Sequence, residues 1–342
     1  MIKTGQFRKI VDLAVFFVMF TVAVAGQDAA KKDEAKTAKK DMTGIPVMWE
    51  KVDITAQDVY NGPAGKMPDI GTVTFVSEEK GGHSTKYRIK DASGGTWVAK
   101  IGDEAQPETA AVRLISALGY KTEINYLVPK LTIPGKGDFT NVRLEARPDN
   151  VERLDQWDWS KNPFTGTKEF QGLKIMMAFL NNWDMKSANN VILKNGDQLQ
   201  YVISDLGVSF GKTGNNGLPV FWRAGRSRNM PDEYAEAEFI KELKSGKIKF
   251  VFNGKNMGLL NDVTVADGRW LADLLIQLSD QQIVDAFRAA NYSDADVKLL
   301  SQSVKQRIRS LDLATQGTTA DSKAAVAAQS LIASGEVRNE NN

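Results

Sequence analysis

The sequence predicts an α+β fold, and three patterns carry that prediction. Apolar residues alternate in short, glycine-punctuated runs between Gly71 and Ile101, they recur at helical spacing from Glu169 to Leu180, and helical periodicity dominates beyond Asp232. The chain has 342 residues, 42% of them hydrophobic, so it is long enough for one large domain or two smaller lobes. Lysine plus arginine (44) nearly balances aspartate plus glutamate (42), so no global field directs the chain toward nucleic acid.

Cysteine is absent, which removes disulfides, thiolate chemistry and zinc–cysteine sites. The single histidine, His83, excludes multi-histidine metal sites, and beside Gly81-Gly82 it reads as a loop residue rather than the base of a hydrolase. At the N-terminus, Lys3, Arg8 and Lys9 precede an apolar run from Leu13 to Ala25 that ends in Ala23-Val24-Ala25 before Gly26. That is the layout of a secretory signal over residues 1–25, cleaved after Ala25. The run is short of the roughly 20 residues that span a bilayer. Export to a periplasmic or extracellular location is therefore expected, with an uncleaved anchor at residues 10–25 as the alternative. Only in that case would the membrane be a partner.

Residues 26–45, rich in Ala, Lys and Asp, read as a disordered spacer. Alternation then places strands around Val73–Phe75, Tyr87–Ile89 and Trp97–Ile101, separated by turns at Gly81-Gly82 and Gly94-Gly95, as in an antiparallel meander. Pro107-Glu108-Thr109 opens a helix with Ala111, Leu114, Ile115 and Leu118 at helical spacing, and Gly119 stops it. Further strands are expected near Leu127–Ile133 and Val142–Glu145. A second region starts near Leu154, with a helix from Glu169 to Leu180 whose face of Leu173, Met176, Met177 and Leu180 is core. The polar segment Asn181–Asn190 follows. Then come Val191-Ile192-Leu193, an Asn195-Gly196 hairpin turn and a strand through Leu199, Tyr201 and Ile203. Helices are predicted over Asp232–Lys244, Ala266–Leu278, Asp280–Ala290 and Asp294–Leu313, with caps at Ser279 and Ser293, and a polar tail covers residues 315–342.

Taken singly, the polar residues of the middle region have ordinary uses. Asp184 and Asn189 shape turns, Lys100 is a strand lysine, and Glu108 is a helix-start acid favoured by the dipole. Taken together they suit phosphoryl transfer, which needs a carboxylate near the attacking hydroxyl, oxygen ligands for Mg²⁺ and cations on the phosphates. Asp184 could orient or deprotonate the acceptor, and Lys186 could offset charge on the moving group. Asn189 and Asp205 supply the neutral and anionic oxygens that a hard cation prefers.

Asp184-Met185-Lys186-Ser187-Ala188-Asn189 resembles the Asp-x-Lys-x-x-Asn catalytic loop of protein kinases, and Asp205-Leu206-Gly207 resembles their Asp-Phe-Gly metal motif. Trp97-Val98-Ala99-Lys100 is similar to their third-strand lysine motif, with Glu108 as its helical partner. The segment from Glu108 to Tyr120 resembles the atypical branch, HipA-type and phosphoinositide-kinase-like enzymes. The resemblance covers residues 70 to 310. It implies a two-lobed, protein-kinase-like fold: an N-lobe at 46–150 made of an antiparallel sheet with one helix, and a mainly helical C-lobe at 151–314. It also implies ATP as co-substrate, Mg²⁺ as cofactor, and a hydroxyl of a protein, lipid or sugar as acceptor. Asp184 and Lys186 would then be catalytic, Lys100, Glu108, Gly81, Gly82 and Ser84 would hold the nucleotide, and Asn189 and Asp205 the metal.

The sequence departs from the family pattern in places. Asn182-Trp183 stands where His-Arg or Tyr-Arg is usual, Glu79–Thr85 matches the glycine-rich loop poorly, and no Ala-Pro-Glu follows Asp205. Trp183 suggests a loop fixed by packing and not switched by phosphorylation. Two other readings compete: a non-catalytic envelope pseudokinase that binds a nucleotide or a protein, and a structural α+β protein in which these residues do not converge.

Overall fold

The computed structural model describes residues 40–65, 67, 69–80, 84–214 and 225–317. The expected leader at 1–25, most of the expected 26–45 spacer, Gly81, Gly82 and His83, and most of the 315–342 tail lie outside the described residues. Among those described, no helix is long and apolar enough to cross a membrane.

The N-terminal part of the fold is an antiparallel five-stranded sheet in the order β2-β3-β4-β6-β5, made by β2 (Thr74–Glu79), β3 (Thr85–Lys90), β4 (Thr96–Ile101), β5 (Asn125–Ile133) and β6 (Gly137–Ala146). Successive side chains of a strand point to opposite faces. One face therefore collects Ile89, Trp97, Ala99, Val128, Val142 and Leu144 into an apolar cluster. The other carries Lys86, Val98, Lys100, Arg143 and Glu145 toward α1 (Ala105–Ala117) and the rest of the chain.

Helix α1 begins two residues earlier than Pro107, which falls within the first turn, where a proline costs no hydrogen bond. Gly119 ends it at φ +94°, and a Cβ there would sit 2.1 Å from the Glu50 carbonyl oxygen. The segment after β1 (Ile45–Val47) can therefore approach the helix end only because residue 119 is a glycine.

β1 corrects the boundary drawn at residue 45. It pairs in parallel with β9 (Gln198–Ile203), in a four-stranded sheet ordered β1-β9-β8-β7 with β8 (Asn190–Asn195) and β7 (Val151–Arg153). Lys40, assigned to the spacer, donates to the Leu154 carbonyl at 2.6 Å. The β8–β9 hairpin turns at Asn195-Gly196 as the Asn-Gly signal predicts.

Helix α2 (Lys168–Phe179) is capped by the Thr167 hydroxyl, which accepts from the Phe170 amide. It is buried on nearly every side among Trp157, Trp159 and the C-terminal helices. Those are α4 (Val265–Leu275), α5 (Asp280–Arg288) and α6 (Asp294–Thr315), with reciprocal capping boxes at Thr264/Asp267 and Ser279/Gln282.

The helix expected over Asp232–Lys244 is not there. Only α3 (Pro231–Glu236) is helical, and β10 (Ile240–Lys244) pairs with β11 (Lys247–Phe250). Phe239, Ile240 and Leu243 admit helical spacing, but Ser245-Gly246 takes φ +51° and +72°, the two-residue hairpin turn. Apart from that hairpin, the layout is the expected α+β arrangement: an antiparallel sheet with one helix first, then the four-stranded sheet and the remaining helices.

Arg307 of α6 ties the second half together. Fully buried, it donates to the carbonyls of Phe179 at 2.8 Å and Ala237 at 2.9 Å and to Asn181 Oδ1 at 3.1 Å, and it lies over the Tyr234 ring at 4.1 Å. Replacement by methionine would strand those acceptors in the core. Arg307→Met is expected to lower unfolding stability by about 3 kcal/mol, read as a shift of the urea midpoint at constant slope. A loss under about 1 kcal/mol would mean that water takes over the carbonyls.

Candidate functional site

A cavity of about 920 Å³ is lined by Ser84, Lys100, Asp184, Lys186, Asn189 and Asp205, six of the residues singled out from sequence. Glu108 stands behind it, and Gly81 and Gly82 lie outside the described residues. Lys100, 3% exposed, is bonded to Glu104 at 2.8 Å, to Glu108 at 3.0 Å and to Asp205 at 2.7 Å. Burial works against its ammonium, but the carboxylates outweigh that and its pKa is raised. Glu108 is itself fully buried, and burial pushes its carboxyl up although Arg143 and Lys100 pull the other way. Burial acts on Asp205 as well, yet the Lys100 charge and hydrogen bond prevail and hold it below the usual carboxylate range.

The loop at 181–190 is positioned from several sides. Asn181 leaves α2 at φ +53°, and its Nδ2 donates to the Gly211 carbonyl at 2.7 Å. Trp183 Nε1 donates to the Ser227 carbonyl at 3.0 Å, and the Arg226 guanidinium lies 5.1 Å from its ring centroid. Asp184 forms a parallel bridge with Lys255, whose amide donates to the Trp183 carbonyl at 2.8 Å. Asn189 Nδ2 donates to the Asp184 carbonyl at 2.8 Å. Asp184 is 8% exposed, and its Oδ2 pairs with Lys186. Its Oδ1 is buried with no hydrogen-bond partner, 3.9 Å from Lys255 Nζ. A buried carboxylate oxygen without a hydrogen bond is a polar group that the fold leaves unsatisfied beside the cavity.

Asp205 follows directly from the hairpin. The Ser204 amide donates to the Asn189 carbonyl at 2.9 Å, which brings the Asn189 and Asp205 backbones side by side. Asp205 is held at φ +53°, a conformation that costs a non-glycine residue about 1 kcal/mol or more. Gly207 lets this turn press on the N-lobe, because a Cβ there would meet the Glu104 Cβ at 2.5 Å.

The donor set suits Mg²⁺. Lys100 takes Asp205 Oδ1 and leaves Oδ2, and Asn189 turns its amide nitrogen into Asp184, which leaves its carbonyl oxygen as the end for a cation. Among the described residues no three acidic, His or Cys side chains gather as a metal cage. Mg²⁺ needs none, since it keeps water and phosphate oxygens among its ligands.

Sequence reasoning missed several residues that line the cavity or stand behind it. Glu104 precedes α1 without capping it, because its carboxylate goes to Lys100, to the Ser84 hydroxyl at 2.9 Å and to Arg228 at 3.2 Å. Its place four residues after Lys100 was the available signal. Arg143, in an alternating strand, bonds Glu108 at 3.1 Å and Glu145 at 2.8 Å. Arg228 and Lys255 lie in stretches with no motif.

No family model matches the sequence, and no curated protein does. Among solved structures, the chain is similar to the Helicobacter pylori proinflammatory kinase CtkA: 12% identical, with 73% of this chain and 94% of that one covered, at a TM-score of 0.43.

Beneath the sheet, buried Glu123 accepts from Ser204 Oγ at 2.8 Å and pairs with Arg153. Burial, then the Glu145 charge, push its pKa up to about 7. Its folded pKa thus exceeds its unfolded value near 4.5, so the stability it contributes is full below pH 4.5 and is lost as pH rises through 7. In melting curves taken from pH 5 to 7.5, Glu123→Gln is expected to remove part of this decline. An unchanged pH profile would show that Glu123 is ionised throughout.

Proposed function

We propose that this chain is a Mg²⁺-dependent phosphotransferase that moves the terminal phosphoryl group of ATP to a hydroxyl of a protein, lipid or sugar. The observation that carries the reading is the convergence of Lys100, Asp184, Asn189 and Asp205 on one cavity, with Lys100 bonded at once to Glu108 and Asp205. Export, read from residues 1–25, belongs to the same proposal.

The acceptor hydroxyl donates to Asp184 Oδ1, which makes no hydrogen bond within the chain and has the Lys255 ammonium 3.9 Å away. As the new O–P bond forms and the bond from the terminal phosphorus to the bridging oxygen breaks, the hydroxyl proton passes to Asp184 and ADP departs. Lys186, paired with the other oxygen of Asp184, faces the negative charge spread over the transferring group. Lys100 grips the phosphates from the sheet, and Glu108 keeps it aimed. Asn189 and Asp205 would hold Mg²⁺, which supplies positive charge to the phosphate oxygens.

Asp205→Ala is expected to abolish Mg²⁺-dependent transfer of labelled phosphate from ATP while the circular-dichroism spectrum stays that of the folded chain, at a lowered melting temperature because Lys100 loses one of its three carboxylates. Asp184→Asn is expected to lower transfer about 10²- to 10⁴-fold, the range for loss of a positioned base, with ATP still stabilising the fold in a thermal-shift titration. Transfer at the unmodified rate by Asp205→Ala would sink the assignment. No stabilisation of the unmodified chain by ATP with Mg²⁺ would favour a non-catalytic scaffold.

A further inference from the structure

The sheet face above the cavity carries a row of like charges that the fold itself does not require. Lys86 on β3, Lys100 on β4 and Arg143 on β6 stand in register across three neighbouring strands. Side chains directly opposite in an antiparallel pair have Cβ atoms about 5 Å apart, and like charges there repel.

The carboxylates around this row are shared unevenly. Arg143 has Glu108 and Glu145, and Lys100 has Glu104, Glu108 and Asp205. On its far side Lys86 faces Glu79 of β2, but that carboxylate is turned to Arg88 at 2.6 Å. Lys86 lines the cavity, is partly buried, and makes no ion pair among the described residues. A lysine on the solvent face of this strand would cost nothing. One turned inward, opposite a second ammonium and near only the Asp205 carboxylate, which is already bonded to Lys100, fits an anion that comes from outside.

We propose that Lys86 binds phosphate oxygens of the nucleotide and forms, with Lys100, a two-lysine clamp across β3 and β4. The inference rests on the phosphotransferase reading. Lys100 is one ammonium among three carboxylates, so it brings position to the clamp and little net charge. Lys86, outside any ion pair among the described residues, brings the charge that is least compensated. The ligand class it selects is a polyphosphate, and the affinity it adds depends on ionic strength.

Binding of Mg·ATP to the full chain, measured by calorimetry at 50 and 200 mM salt for the unmodified protein, Lys86→Met, Lys86→Gln and Lys86→Arg, tests this. Both neutral variants are expected to weaken Mg·ATP binding about tenfold and to flatten its salt dependence, and Lys86→Arg is expected to restore most of both. Affinity within twofold of the unmodified chain in the neutral variants overturns the clamp while leaving the phosphotransferase reading intact. A loss that arginine does not rescue and that leaves the salt dependence unchanged also overturns it, because that is the mark of a structural lysine. If the unmodified chain does not bind Mg·ATP, the phosphotransferase reading falls first and the clamp with it.

Discussion

A buried ammonium sets the terms for this structure. Taking a lysine charge out of water costs several kcal/mol unless it is paired and hydrogen-bonded. Lys100 meets that demand with three carboxylates from three places: Glu104 before α1, Glu108 within it, and Asp205 beyond the hairpin of the second lobe. Once those bonds are made, much else follows. Glu104 cannot cap α1, the Asp205 backbone accepts a left-handed conformation, and residue 207 must be a glycine because the chain passes against Glu104. The sheet, the helix and the second lobe are thereby located relative to one another by one nitrogen atom.

The charges continue outward and return. Glu108 bonds Arg143, Arg143 bonds Glu145, Arg153 reaches both Glu145 and Glu123, and Glu123 accepts from Ser204, the residue before Asp205. The network is a ring that closes on the metal-ligand candidate through one peptide bond. Apolar residues of the same volume would often stabilise a core as well or better, so stability alone is a weak reason for such a ring. Its effect is positional: a shift of the β6 strand, of the segment after it, or of the turn at 204–207 would strand a charge in a medium that does not tolerate one. The site inherits that rigidity.

How much of this was legible in the sequence depended on how local each feature is. Lys100, Asp184, Asn189 and Asp205 could be read because their spacing is dictated by one strand, one loop and one hairpin, and the Asn195-Gly196 turn fixes the distance between the last two along the chain. The strands and helices with strong periodicity were equally readable. What could not be read is partner choice across the fold. Nothing in Ile45–Val47 says that it pairs with β9, and nothing in the alternation of β6 says that Arg143 meets Glu108. The β10–β11 hairpin was lost for a different reason: apolar residues compatible with either period were resolved by Ser245-Gly246, a turn signal weaker than Asn-Gly. Lys255 had no signal, because it meets the 181–190 loop through a backbone bridge and an ion pair between two irregular stretches.

Trp183 shows what that loop gains from packing. The indole is held by the Ser227 carbonyl and covered by Arg226, while Asn181 is held by Gly211 and by Arg307 from α6. These contacts are made within the folded chain and depend on no added phosphate. The entropy of ordering Asp184 is therefore spent during folding rather than when a ligand arrives, which is the physical meaning of a preorganised site. The Oδ1 of Asp184 fits that view. A free loop would rotate the carboxylate until both oxygens found hydrogen-bond donors, and here the surrounding bonds keep Oδ1 buried without one, with only the Lys255 ammonium 3.9 Å away.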